Sequence, residues 1–206
     1  MQISSGSLGL DQAVYSYGAS GKFHPGAFLA SLRLAQELES QGKLKEFTKV
    51  RKNFEEFLVR HKFFINQIGH SKGSRTRPVE SMLQMHRIII GCLQDHVRDD
   101  KKIVRKLKRD PKLEELKDVT NIPKNDTRKR RFSKSVQNAG VIRSTLETRE
   151  RCNVCGSRLP PACRSKDHIQ RQEDMGTGTL DNLQFTHPYC NTGYKESGVA
   201  KGKRKK

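Results

Sequence analysis

The 206-residue chain has no tryptophan, and aromatic residues make up only 6% of it. Hydrophobic residues reach 33% and the mean hydropathy is −0.80. A single large apolar core is therefore excluded. A modest helical core beside a small domain held by something other than hydrophobic area is expected instead. No apolar run approaches the ~20 residues of a membrane helix, so no membrane partner is expected. The opening Met1-Gln2-Ile3-Ser4-Ser5 lacks the basic and apolar blocks of a secretory signal, which points to the cytoplasm. Cysteine is scarce too: there are five, at 92, 152, 155, 163 and 190. An odd number gathered at one end does not make a secreted disulfide scaffold.

Acidic residues are in deficit. Against 41 Lys+Arg stand 22 Asp+Glu, a formal charge of +19, which points to a polyanionic partner. Residues 1–119 carry 22 basic and 14 acidic residues (+8), whereas residues 120–206 carry 19 and 8 (+11). The C-terminal part is thus the more basic surface. Two runs, Arg128-Lys129-Arg130-Arg131 and Lys203-Arg204-Lys205-Lys206, suit phosphate contacts without sequence preference.

Residues 1–119 read as a helical bundle domain. Pro25 suits a first helical position, where its missing N–H costs nothing, and Phe28, Leu32, Ala35 and Leu38 then recur at helical spacing. Phe47, Val50, Phe54, Phe57, Leu58, His61, Phe64, Ile65 and Ile68 trace one face of a longer segment that Gly69 and Ser71–Ser74 end. A third helix is predicted from Pro78, carrying Val79, Met82, Leu83, Ile89 and Leu93, with shorter pieces after Asp99 and Pro111. These residues read as core, His61 and His86 as ordinary helix positions, and Cys92 as a buried thiol. Residues 120–132 form the expected basic linker. Ser133 is placed to cap a helix with Val136, Ile142 and Leu146. A C-terminal domain over 133–198 and a basic disordered tail at 199–206 complete the expected organisation.

Four of the five cysteines fall between 152 and 190. Cys152-Asn153-Val154-Cys155-Gly156 is a Cys-x2-Cys-Gly turn, and His187-Pro188-Tyr189-Cys190 repeats the x2 spacing. Two such pairs supply the soft donors of a tetrahedral zinc site, three thiolates and one imidazole. A second assignment replaces His187 with Cys163 and ranks lower, because Cys163 has no partner at that spacing. Few large apolar residues lie between Arg151 and Lys195, so a closed zinc site worth on the order of 10 kcal/mol would hold this part together.

Between the pairs stand Asp167-His168-Ile169, then Met175-Gly176-Thr177-Gly178-Thr179, then Asn182-Leu183-Gln184, with Asn191 and Lys195 after the last cysteine. A bare zinc ribbon needs none of these. The string Cys-x2-Cys, Asp-His-Ile, Gly-x-Gly, Asn-Leu-Gln, His-x2-Cys-Asn and Lys, over residues 152–195, resembles the HNH nuclease family with its ββα-metal fold. The resemblance implies a metal-dependent endonuclease acting on DNA. His168 would be the general base, Asn182 would brace the loop that orients it, and Asp167 with Asn191 would hold a catalytic Mg²⁺ or Mn²⁺ apart from the structural zinc on Cys152, Cys155, His187 and Cys190. It further implies a helix after Asn191 that carries Lys195 to phosphate, with Lys166 and Arg171 flanking the strand end. The third motif position is Asn rather than His, and its amide oxygen also suits a hard cation. The chemistry asks for these types: a phosphodiester repels hydroxide, so hydrolysis needs a base near neutrality and a cation at the leaving oxygen.

The stretches Tyr15-Ser16-Tyr17, Gly21–Ala30, Phe54–Leu58 and Phe63–Gln67 are similar to the helical segment of GmrSD-like bacterial defence proteins, which also carry an N-terminal ParB-like nucleotide-dependent nuclease domain. This implies a role in restriction or anti-phage defence. It also implies a larger ParB-like partner, or a full-length version of the same protein, with the present chain as its separately translated product, a fragment, or a stand-alone relative. A homodimer would allow double-strand cutting. Two other readings stand beside the nuclease: a non-catalytic zinc-stabilised DNA-binding or regulatory subunit, and an RNA substrate. The sequence offers no aromatic stacking platform for the latter.

Overall fold

A computed structural model describes residues 8–73, 77–117 and 131–195. The linker expected at 120–132, except Arg131 and Phe132, lies outside these residues, as does the tail at 199–206 with its Lys203–Lys206 run. The chain groups into two compact units, Gln12–Thr148 and the pair of segments up to Asp11 and from Arg149 onward. The helix over 134–148, expected with the C-terminal domain, thus groups with the helical unit, and the segment ending at Asp11 groups with the C-terminal one. Among the described residues no helix is long and apolar enough to cross a membrane.

The helical unit contains α1 (Gln12–Tyr15), α2 (Pro25–Ser40), α3 (Leu44–Arg60), α4 (Phe63–Ser71), α5 (Val79–Gln94), α6 (Asp100–Lys108) and α7 (Lys134–Thr148). Pro25 opens α2, as its fixed φ and missing donor suit. Ala35 and Leu38 are buried as expected, but Phe28 and Leu32 are only half-buried, and Ala27, Ala30, Ser31 and Leu34 complete the buried face of α2. Small residues let α2 lie close against α5, its principal neighbour, and Phe28 is left to meet the ring of Phe23 at 6.2 Å.

The apolar stripe from Phe47 to Ile68 is divided between two helices. The break falls at His61-Lys62, where the Lys62 ammonium turns inward and donates to the carbonyls of Ala13, Val14 and Tyr17 at 2.5, 3.1 and 2.8 Å. Those are carbonyls at and just beyond α1, which a four-residue helix cannot satisfy by itself. Deeper in the unit, Arg51 donates to Glu55 Oε1 at 2.9 Å and the Tyr15 hydroxyl donates to the same oxygen at 3.1 Å. All three side chains are buried, and burial raises the Tyr15 hydroxyl well above its ordinary range.

Helix α5 buries Val79, Met82, Leu83, Ile89, Cys92 and Leu93 as its periodicity predicts. It also buries His86, edge-on to Phe54 at 5.5 Å, and burial pushes that imidazole down to about 4. Asp99 caps α6 by accepting from the Lys101 N–H at 2.9 Å, and basic residues crowd the last turn, where the helix dipole favours them. Ser133 meets the Val136 N–H at 3.4 Å at the start of α7, whose buried residue is Leu146; Val136 and Ile142 are only half-buried.

The second unit is built on a two-stranded antiparallel sheet, β1 (Ser165–His168) and β2 (Leu183–Thr186), in the register Asp167 opposite Gln184 and His168 opposite Leu183. Strands of four residues cannot bury enough surface to stand alone. Two other attachments surround them: an Arg151–Arg158 bridge that closes the first cysteine turn, and a donation from the Asn153 N–H to the Phe185 carbonyl at 3.1 Å. After β2 the chain makes a π-type turn at Cys190–Tyr194, closed by the Lys195 N–H on the Cys190 carbonyl at 3.1 Å. A longer α-helix after Asn191, as expected, would fall beyond the described residues.

Candidate functional site

The first cysteine turn is held by its own backbone. Cys152 N–H donates to the Ser157 carbonyl and Gly156 N–H to the Cys152 carbonyl, both at 2.8 Å. Gly156 has φ +72°, a conformation that glycine alone adopts at no steric cost. The second pair sits where β2 ends. The side-chain donors of Cys152, Cys155, His187 and Cys190 all lie within 4.8 Å of one another. Within the cluster, Nδ1 of His187 is 3.5 Å from Cys155 Sγ and 3.7 Å from Cys190 Sγ. A tetrahedral zinc ion with ~2.3 Å bonds to sulfur needs donors ~3.7 Å apart, so the set fits it.

The tautomer is fixed from outside the cluster. His187 Nε2 lies 3.0 Å from the Arg158 carbonyl, so its N–H donates there and the Nδ1 lone pair turns to the sulfurs. Hydrogen bonds from Cys155 and then Cys190 lower the Cys152 thiol, and the same contacts, from Cys152 and then Cys155, raise Cys190, so without an ion the sulfurs share protons among themselves. Cys163 is not among the four donors, so the assignment that replaced His187 with it is set aside.

His168 is not a donor of the cluster either. It ends β1 half-buried and lines a groove of about 430 Å³ together with Lys166, Asp167, Gly178, Thr179 and Asn182. Asn182 braces the strand-to-strand loop: its Oδ1 accepts from the Gln170 N–H at 2.7 Å, and its Nδ2 donates to the carbonyls of Gln170 at 3.0 Å and Thr177 at 2.7 Å. The Ile169 N–H donates to the Asn182 carbonyl at 2.9 Å, which ties the residue after His168 to the same brace.

Asp167 is almost fully buried and already holds a cation. Lys195 Nζ lies 2.8 and 3.0 Å from its two carboxylate oxygens and also donates to the His168 carbonyl, while Gln184 Nε2 donates to Asp167 Oδ2 at 2.7 Å. Lys195 is therefore turned inward, not outward to phosphate, because a buried carboxylate needs a countercharge. Arg171 likewise gives its Nη2 N–H to the Lys195 carbonyl at 2.9 Å. Of the three expected DNA contacts, only Lys166 is exposed; Arg171 and Lys195 are half-buried.

Asn191 does not line the groove. Its Nδ2 donates to Ser165 Oγ and to the Lys166 carbonyl, each at 3.1 Å, which leaves the amide oxygen as its acceptor beside β1. Carboxylate and amide oxygens are the donor types that hard cations take, and of the two expected here the Asp167 oxygens already embrace the Lys195 ammonium.

Three participants were not legible in the sequence. Gln184 meets Asp167 only through the strand register, and the Arg158 carbonyl meets His187 only through the cysteine turn. Gly9, with φ +60°, leaves room that a Cβ would fill 2.5 Å from His187 Cδ2, so the segment around it packs on the imidazole.

No curated protein and no solved structure matches the chain. Residues 152–197, the stretch that holds the four-donor cluster, the hairpin and the groove, match the family model of the HNH endonucleases.

Proposed function

We propose that the chain is a metal-dependent HNH endonuclease that hydrolyses DNA phosphodiester bonds. The observation that supports the reading is that His168 lines an open groove and is not a donor of the Cys3His cluster, with Asn182 locking the loop behind it. The cluster, holding zinc, fixes the hairpin. His168 takes a proton from water in the groove, since an imidazole outside a metal cluster keeps its lone pair for that purpose. Asp167, once Lys195 releases it, and Asn191 would hold the catalytic Mg²⁺ or Mn²⁺, which would supply positive charge at the leaving oxygen. Lys166 meets the strand from solvent. The bacterial restriction or anti-phage role, with a larger nucleotide-dependent nuclease as partner, rests on the resemblance of the helical segment alone.

One observation favours a second reading. The Lys195 ammonium on Asp167 occupies the position that a divalent cation needs, as it would in a non-catalytic zinc-stabilised DNA-binding subunit. Plasmid cleavage across Mg²⁺, Mn²⁺ and Ca²⁺ separates the two, with the native protein and His168→Ala side by side and zinc content measured in both. The nuclease reading expects cutting by the native protein alone at equal zinc content. Vigorous cutting by His168→Ala rejects it, and binding without cutting under every metal selects the second reading.

A further inference from the structure

Helix α6 reads Asp100-Lys101-Lys102-Ile103-Val104-Arg105-Lys106-Leu107-Lys108. Ile103 and Leu107 point into the core, which puts Lys101, Arg105 and Lys108, spaced i, i+4 and i+7, on one helical face beside Val104. Opposite that face lies the turn between α3 and α4. There the His61 ring stacks flat on Phe64 (10° between planes, centroids 5.4 Å apart), and Phe63 packs against Phe64 at 4.5 Å and against His61 at 5.6 Å. The two sides enclose a groove of about 560 Å³ within the helical unit.

Its charge is unbalanced. Asp100 is the one carboxylate of the lining, and it is spent on Arg60, which binds it through two nitrogens at 2.8 and 2.9 Å, and on His61 Nε2 at 2.9 Å. Lys101 and Arg105 remain exposed on the rim. A ligand-sized groove with an aromatic floor and cations along one wall suits a polymer that alternates flat rings with anionic links. An acidic peptide would satisfy the rim but bring no ring to the floor.

We propose that this groove binds an unpaired stretch of a DNA strand, with a base against Phe63 and Val104 and its flanking phosphates on Lys101 and Arg105. The assignment rests on the nuclease reading for the identity of the polymer, and it adds a substrate surface in the helical unit, where the sequence offered no stacking platform.

The test uses the full chain carrying His168→Ala, so that no oligonucleotide is cut, and follows binding of fluorescent oligothymidylate by anisotropy over a range of salt. Lys101→Ala/Arg105→Ala, at two exposed positions, is expected to weaken binding at least tenfold and to lower the salt slope by about 1.4, or ~0.7 for each phosphate that is no longer neutralised. Phe63→Leu is expected to weaken binding roughly 10- to 100-fold with the slope unchanged, as for loss of one stacked base. Circular dichroism checks that both variants keep their helix. Parent-like binding by both variants, or displacement by polyglutamate as effective as by oligothymidylate, overturns the proposal. Without the His168 change, a chain that cuts plasmid but ignores oligothymidylate overturns the groove alone. One that binds the oligonucleotide through the groove and never cuts overturns the nuclease reading alone.

Discussion

Replacing Lys195 by Met keeps the stem and removes the ammonium that Asp167 holds at 2.8 and 3.0 Å. The two side chains are 12% and 6% exposed, so the carboxylate is left nearly dry without its charge partner. Breaking a buried pair from one side costs about 3–5 kcal/mol, and because Gln184 still donates to Asp167 at 2.7 Å the lower end applies, about 3 kcal/mol. At 1.4 kcal/mol per decade this is roughly a hundredfold in the local opening equilibrium. Hydrogen–deuterium exchange reads it directly: amides of β1 and β2 should exchange about a hundredfold faster, while those of α5, in the other unit, stay unchanged. Added Mn²⁺ should slow β1 and β2 exchange more in Lys195→Met than in the native chain, because the vacated carboxylate accepts a new cation. Unchanged β-strand exchange, or acceleration of α5 by the same factor, would refute the argument.

Zinc content by elemental analysis should fall from one per chain to below that in His187→Ala and stay at one in Cys163→Ser, since only the former is a donor of the cluster. Asn182→Ala removes three hydrogen bonds from a partly exposed loop, so about 2 kcal/mol of local stability should be lost and limited proteolysis should cut within 169–182 sooner. Acid should weaken the helical unit through His86, held at about 4 by burial against ~6.5 when unfolded. The unfolded chain takes up that proton first, so the contribution is whole above pH ~6.5 and declines by about 3 kcal/mol as the pH falls to 4. His24, lowered to about 4 by burial and then by Lys22, His70 and Lys62, acts in the same direction. In urea titrations at stepped pH, His86→Leu should flatten this decline; an equally steep profile would remove burial as its cause.

Much of the site was legible because its chemistry is local. Cys-x2-Cys-Gly and His-x2-Cys each bring two donors to one turn, so spacing alone assigned the four ligands and ranked His187 over Cys163. Helix existence followed from periodicity in the same way, as the α5 core residues show. Failures came where distance along the chain mattered. In α2, Ala35 and Leu38 were placed correctly, but Phe28 and Leu32 were not, because small residues such as Ala27 and Ser31 allow closer approach to α5. The break at His61-Lys62 arose because Lys62 is drawn to carbonyls some 45 to 49 residues away.

By itself, the sequence determined which residues could ligate, titrate or carry charge, since those are properties of side chains at short spacing. Tertiary structure alone decided which of them face one another. Antiparallel register set Gln184 on Asp167, the last turn returned Lys195 to the same carboxylate, and packing between α6 and the α3–α4 turn joined three cations to an aromatic floor. Desolvation is the physical reason. A buried carboxylate takes whichever cation the fold brings within reach, and no short-range pattern records which one that is.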